Sequence, residues 1–430
     1  MSIQKTPPIT IEKQGKVIHM TDEGLGRIID DEGKNIDLPF CLTGETVLYH
    51  EVQRRRKTDY YFKGIEKKSN HRIDPICPHF TKCGGCTLQH MSMELYKEYK
   101  KSIILSLFVQ KNLDPFVVDD PVFLNSGQRR RVNMDFVKKN GTVFLGFHGL
   151  KSHSIVNVEV CPVVDADIEA ILHPLREALS SILKDYQKGK VFILKTDVGL
   201  DISLEIQEVS TLSDEDIHAL ETLSQKTNLC RLIFKYRKTK RVIFQKEEPY
   251  VTINSVKISV DPWCFLQASQ MADETLIQWV LDALPQKIIN CIDLFCGRGT
   301  FTFALSRFAN VKGYEGEKSA IEALESANTI AKRPITTFVQ DLFLNPLKSD
   351  DFKSVDVVVI DPPRAGAKAQ CVELSTSTVP LIVYVSCNPK TFVEDALQLQ
   401  RGGYKLEKVH LLDQFIFTHH MEVVGIFKKK

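Results

Sequence analysis

The 430-residue chain has no apolar run approaching the roughly 18 residues that a membrane span needs, which argues against a transmembrane helix. Its opening residues, Met1-Ser2-Ile3-Gln4-Lys5-Thr6-Pro7-Pro8, lack the apolar stretch of a secretory signal, so a cytoplasmic protein with no membrane partner is expected. An excess of one charge is missing too. Lys and Arg number 56 against 54 Asp and Glu, a formal net charge of +2, so any contact with a polyanion must come from local clusters. Cysteine, by contrast, is plentiful: 11 residues whose clustering suits ligation or catalysis better than a disulfide framework. The length is too great for one ordinary core, and two or three domains are expected.

From Gly15 to about Glu66 the sequence reads as short strands broken by turns, with Asp30-Asp31-Glu32-Gly33 as a turn signal. Such spacing suggests a small barrel of the oligonucleotide-binding kind. Arg54-Arg55-Arg56-Lys57 followed by Tyr60-Tyr61-Phe62 mixes cations with aromatics, a combination able to hold phosphates and stack on bases. The structural alternative is a solvated strand edge followed by core aromatics.

Cys77, Cys83 and Cys86 have the spacing C-x5-C-x2-C, and Cys161-Pro162 stands downstream as a fourth candidate. Zinc and a four-iron cluster both accept four thiolates, and spacing alone does not choose between them. A second basic patch, Gln128-Arg129-Arg130-Arg131, is expected to offer at least one face to solvent or phosphate. Between about Asp165 and Val251, Ile168, Ile171, Leu172, Leu175, Leu179 and Leu183 recur with helical period, followed by strand-like runs and no chemical motif.

The C-terminal half alternates strand and helix. Ile288 to Leu294 is an apolar run leading into Phe295-Cys296-Gly297-Arg298-Gly299-Thr300, a strand, a glycine turn and the start of a helix. Glu315 ends the next strand, placed to accept both hydroxyls of a ribose, and Asp341 follows a third, placed for an adenine amine. Glycine turns of this kind serve NAD, FAD and S-adenosylmethionine alike. Thr302 occupies the place of the third glycine of the dinucleotide fingerprint, which leans toward a mononucleoside ligand.

Two further strands end on Asp361-Pro362-Pro363-Arg364 and on Ser386-Cys387-Asn388-Pro389, which puts a carboxylate and a thiol at one sheet edge. Amine methyltransferases carry a related tetrapeptide ending in an aromatic residue; Arg364 stands there instead, and a carbon target becomes more attractive. Uracil C5 is too poor a nucleophile to take a methyl group directly. A thiolate added to C6 gives an enolate whose C5 attacks the methylsulfonium, after which a base removes the C5 proton. Cys387 suits the first role and Glu422, on the approach to the last strand, the second.

With these residues in place, the sequence resembles the RNA 5-methyluridine methyltransferase family of the RumA/TrmA type. The likeness rests on Cys77, Cys83, Cys86, Cys161, Gln267, Asp293-Leu294-Phe295-Cys296-Gly297, Glu315, Asp361-Pro362-Pro363-Arg364-Ala365-Gly366, Ser386-Cys387-Asn388-Pro389 and Glu422. The resemblance implies an α/β chain in three parts. Residues 1–68 would form a TRAM-like OB barrel that binds RNA, 69–258 a central α+β iron–sulfur domain, and 259–430 a Rossmann-like S-adenosylmethionine-dependent methyltransferase domain. It further implies a [4Fe-4S] cluster on Cys77, Cys83, Cys86 and Cys161, Cys387 as nucleophile, Glu422 as proton acceptor, and S-adenosylmethionine contacts at Gln267, Phe295, Glu315, Asp341 and Asp361. Thr300 departs from the asparagine of many members, although its hydroxyl keeps a donor for the cofactor. Members with both a barrel and a cluster resemble enzymes acting on 23S ribosomal RNA, with transfer RNA the alternative. A monomer is expected, acting on a flipped-out uridine. An iron–sulfur oxidoreductase is the rival of a different class, and it would need the absent third glycine.

Overall fold

The computed structural model describes residues 9–54, 57–113 and 117–429, and the chain divides into two compact units. The first unit runs up to Ile103 and includes Gly149–Ser152 and Phe417–His419. It contains two antiparallel three-stranded sheets. Ile9–Lys16 and Lys57–Lys67 flank Thr46–Arg54, while His19–Met20, Gly26–Ile29 and Asn35–Leu38 form the other. Val17, Ile28, Ile36, Leu38, Cys41, Val47 and Tyr49 fill their core. A Cβ on Gly26 would lie 2.7 Å from the Cys41 side chain, so the strand approaches its neighbour as closely as it does only because glycine stands there. Asp30 forms the expected turn, its carboxylate accepting from the Glu32 and Lys34 amides while Gly33 takes a positive φ.

The basic stretch beside this sheet divides. Arg54 and Lys57 both pair with Asp59 at 3.0 Å, Tyr60 and Phe62 pack toward the core, and Tyr61 is exposed. Arg55 and Arg56 lie outside the described residues.

In the second unit, a seven-stranded sheet has the order Ile155–Asn157, Thr142–His148, Arg131–Lys139, Lys188–Thr196, Gly199–Ile206, Leu229–Tyr236, Thr239–Gln245. The helix Ala166–Ile182 lays Ile168, Ile171, Leu172, Leu175 and Leu179 onto the core of this sheet, as the 3.6-residue period predicts. Asp165 caps its start by accepting from the Asp167 amide.

The second sheet of the unit carries the chemistry. Its strands are β1 (Asn290–Leu294), β2 (Asn310–Glu315), β3 (Ile335–Val339), β4 (Val357–Ile360), β5 (Leu381–Ser386), β6 (Tyr404–Asp413) and β7 (Glu422–Lys429), in the spatial order β3-β2-β1-β4-β5-β7-β6. Val117–Val118 and Val122–Phe123 add to the outer edge at β6. β1 to β5 are parallel, and β7 runs antiparallel to both β5 and β6. Helices cover both faces, which is why β4 and β5 read as unbroken apolar runs. Val357, Val359, Val383 and Val385 face one core, and Val358, Ile360, Ile382 and Tyr384 the other.

The arginine triplet is only partly turned to solvent, with Arg130 buried. Arg130 is 7% exposed and ion-pairs with Asp273 of the helix Gln270–Asp282, while its Nε donates to the Gln267 carbonyl at 3.1 Å. Arg131 donates to the Cys264 carbonyl at 2.6 Å. Only Arg131 lies on a strand; the residues before it form an irregular connection, so strand alternation does not turn a cationic face outward. These two guanidiniums fasten the central sheet to the segment entering the catalytic sheet, while Arg129 is half-buried.

Candidate active site

The topology brings the chemistry to one edge. The parallel strands β1 to β5 all end there, β6 runs the same way, and β7 begins there because it is antiparallel. Pairing of Ser386 with Val423 puts Cys387 and Glu422 on adjacent strand tips, while pairing of Ile360 with Tyr384 sets Asp361 on the other side of β5.

Each tip has a local cause. The glycine turn after β1 holds Phe295, Gly297 and Gly299 at positive φ of 61°, 53° and 98°. A Cβ on Gly299 would meet the Phe303 ring at 2.9 Å, so the tight entry into the helix Thr300–Leu305 requires glycine. Phe295 is bulky and still adopts the left-handed region, a strain that structures retain where surrounding contacts fix the backbone. Arg298 pins the turn from behind, pairing with Asp261 at 3.0 Å and donating to the Ser259 carbonyl at 3.1 Å. Glu315, at the tip of β2, accepts from the Gly297 amide at 3.1 Å and the Glu317 amide at 2.8 Å, which fixes its carboxylate at the crevice mouth. Asp341 is exposed two residues beyond β3, one oxygen accepting from the Phe343 and Leu344 amides. Thr300 is half-buried at the first position of its helix; its carbonyl accepts from Asn254 at 3.2 Å.

The Ser386-Cys387-Asn388-Pro389 tetrapeptide is a strand-to-helix junction. Asn388 caps the helix Pro389–Arg401 by accepting from the Lys390 amide, and its Nδ2 donates to the Arg364 carbonyl at 2.9 Å. Proline at the first helical position needs no amide donor there. Cys387 is thereby held, half-buried, between strand and cap. The neighbouring Asp361 loop is fastened through Asp395, which accepts from the Ala367 amide at 2.7 Å and the Tyr384 hydroxyl at 2.5 Å.

Glu422 is 2% exposed, and burial pushes its carboxyl up to about 7 against the opposing effect of a hydrogen bond from Gln414. Gln414 was not anticipated from sequence. Its Nε2 donates to Glu422 Oε1 and to Gln267 Oε1, each at 2.8 Å, and its own Oε1 accepts from the Ala268 amide. Gln267 in turn lies 3.5 Å from Asp361. No local pattern marks Gln414; its place follows from the pairing of β6 with β7. Asp361 is raised well above the usual carboxylate range, by burial first and then by Glu422, Asp293 and other acids. Asp293 is fully buried, accepts from the Thr302 hydroxyl at 2.6 Å, and is pushed to about 7 by burial. The Cys387 thiol is pushed up to about 12 by burial, then by Glu422 and Asp361, with Arg364 opposing.

Cys77, Cys83 and Cys86 are half-buried in the first unit, and Cys161 is half-buried in the second; none is in a disulfide. Burial raises the Cys83 thiol, and its sulfur accepts from the Gly85 amide at 3.4 Å. Among the described residues no group of three or more His, Cys, Asp or Glu is gathered to hold a metal ion. His90 is fully buried, and burial lowers it to about 4.

A sheet in this order, with a glycine turn after its first strand, an acid at the tip of the second and covered on both faces, defines an α/β methyltransferase. The chain belongs to the tRNA (uracil-5-)-methyltransferase family, whose profile matches residues 100–430, and it is thus an S-adenosylmethionine-dependent RNA methyltransferase. It is 35% identical to an uncharacterized RNA methyltransferase of Agrobacterium fabrum over 91% of this chain and 94% of that one. It is 29% identical to the 23S rRNA (uracil(1939)-C(5))-methyltransferase RlmD of Shewanella sediminis over 92% and 91%. The crystal structure of Pyrococcus abyssi tRNA (uracil-54, C5)-methyltransferase with S-adenosyl-L-homocysteine has the same fold, with a TM-score of 0.75 at 22% identity, covering 96% of this chain and 99% of that one. No helix among the described residues is long and apolar enough to cross a membrane.

Proposed function

We propose that the chain methylates C5 of a uridine in ribosomal RNA through a transient bond between Cys387 and C6 of the base. The observation that carries this reading is the pairing of a thiol and a dry carboxyl on adjacent strand tips, Cys387 and Glu422, with the carboxyl held near 7. S-adenosylmethionine, when bound along Gln267, Phe295, Thr300, Glu315, Asp341 and Asp361, supplies the electrophilic methyl group. Cys387 loses its proton to solvent and adds through sulfur to C6. The electron pair of the C5–C6 double bond moves to C5, which would take the methyl group as the methyl–sulfur bond breaks and S-adenosylhomocysteine is left behind. Glu422 then removes the C5 proton, the double bond re-forms, and the thiolate leaves. A carboxyl poised near neutrality suits that task, being both available as base and able to hold the proton afterwards.

Ribosomal RNA is favoured by the 23S rRNA activity named for the Shewanella relative. Transfer RNA remains the second reading, favoured by the family description. The two small sheets of residues 9–67 are consistent with an OB-like, RNA-binding barrel. The proposed reaction draws on no group held by Cys77, Cys83, Cys86 or Cys161. RNA carrying 5-fluorouridine cannot surrender a C5 proton, so it is expected to leave a conjugate on Cys387 that survives denaturing electrophoresis. Mapping the labelled nucleotide in unmodified total RNA assigns the substrate; label in transfer RNA alone would overturn the ribosomal assignment.

A further inference from the structure

The hairpin formed by Leu229–Tyr236 and Thr239–Gln245 lies at the edge of the central sheet. Its turn and flanks carry Lys235, Arg237, Lys238, Lys240 and Arg241, five cations in seven residues with no acid among them. The register sets Lys235 directly opposite Lys240. Like charges facing each other across a ladder are unfavourable unless something of opposite sign lies over them. No carboxylate does so: among the described residues none of the five forms an ion pair, whereas Arg231, further along the same strand, meets both Asp201 and Glu248.

Both ammonium groups lie instead over the ring of Trp263, at 5.0 Å for Lys235 and 4.2 Å for Lys240. That aromatic platform positions two cations side by side without neutralising them. Two residues on, Phe265 is 63% exposed with the Arg131 guanidinium 5.4 Å from its centroid. Gln267 follows, with its side chain 3.5 Å from Asp361. Four residues of chain span at most ~14 Å, so the paired lysines stand close to the crevice.

We propose that this hairpin is a phosphodiester clamp for the RNA strand flanking the target uridine, with Lys235 and Lys240 holding phosphate and Phe265 offering a stacking face to a neighbouring base. Charge complementarity selects the occupant: an uncompensated cationic pair beside an exposed aromatic is the combination that tracks a single-stranded polyanion. The clamp rests on RNA being the substrate, but not on the covalent route. A cationic edge can also serve merely to keep strands of separate molecules from pairing.

The test uses the full chain carrying Cys387→Ala, so that binding is read without turnover, and a fluorescein-labelled uridine oligomer as probe over a salt series. Lys235→Gln with Lys240→Gln is expected to weaken binding by about tenfold or more and to flatten the dependence of log affinity on log salt by about 1.4, two contacts at roughly 0.7 each for a single strand. The double Lys→Arg counterpart is expected to retain both affinity and slope, and S-adenosylhomocysteine binding to stay unchanged throughout. Phe265→Ala is expected to weaken binding with the slope intact. An unaltered slope in the Gln pair, or an equal loss in the Arg pair, overturns the clamp. Failure of the parent chain to bind the oligomer would sink the RNA reading itself, and the clamp with it.

Discussion

Two regions of the second unit handle charge in opposite ways. The crevice at the strand tips is lined by Asp293, Glu315, Asp361 and Glu422, three of them raised by burial, while the edge hairpin presents five cations and no acid. A phosphodiester finds no compensating charge at the first, where burial disfavours any ion, and is drawn to the second. On the proposed reading a uridine enters this crevice base first, with its backbone left outside. Near-neutrality of the whole chain conceals this separation.

The most drastic way to break the contrast is to remove the sulfur. Cys387→Ala is expected to lower turnover by at least about 1,000-fold, since direct methylation of C5 has no comparable path, while leaving S-adenosylmethionine affinity largely intact. Labelled methyl transfer and calorimetric cofactor binding check the two halves. Substantial residual methylation would mean that no thiol adduct is needed.

A next, smaller effect sharpens the role of the dry carboxyl. Glu422→Gln keeps the hydrogen-bonding shape beside Gln414 but cannot accept a proton, so methylated adduct should accumulate and its release slow by about 100-fold or more. In the native chain kcat is expected to rise with pH through about 7 as Glu422 ionises, and the variant should lose that rise. Rapid release by the Gln variant, with the pH profile unchanged, would assign the proton to another group.

The joint between central sheet and catalytic sheet offers a third, structural effect. Arg130→Met leaves Asp273 buried and alone, one of its oxygens being already without a partner, and should cost about 3–5 kcal/mol. Adding Asp273→Leu should recover most of that loss, because the pair is worth far less than the charge it leaves behind when broken. Urea denaturation of the single and double variants reads the difference; a double variant no better than the single would refute the ion-pair account.

How far the sequence foretold this arrangement depends on the length scale of each signal. The strand ends at Asp361 and Cys387 were legible because parallel strands buried on both faces write themselves as apolar runs with a polar terminus. Helical periodicity likewise placed Ile168 through Leu179 on a core. The internal roles of Arg130 and Arg131 were not legible, since their partners, Asp273 and the Cys264 carbonyl, are more than a hundred residues away and no local pattern announces them. Gln414 escaped notice for the same reason: its importance lies in joining Gln267 to Glu422, a link made only when β6 and β7 pair. The hairpin cations, read along the chain, were merely charged residues in a scaffold; the register that opposes Lys235 to Lys240 gave them meaning.

The smallest effect returns to the crevice and concerns stability. The Glu422 carboxyl ordinarily titrates near 4.5 and is pushed to about 7 in the folded chain, chiefly by burial. Between those values the folded chain holds a proton that the unfolded chain has released, so this group lowers stability progressively as pH rises, and the full penalty is present above about 7. Glu422→Gln carries no such penalty. Its stability relative to the native chain should gain about 1–3 kcal/mol between pH 4.5 and pH 8, with the gain confined to that window. Urea midpoints of both proteins at the two pH values measure it. A difference independent of pH would show that the carboxyl is better solvated than its 2% exposure implies, and the crevice would then be wetter and less selective for a neutral base than the contrast with the hairpin demands.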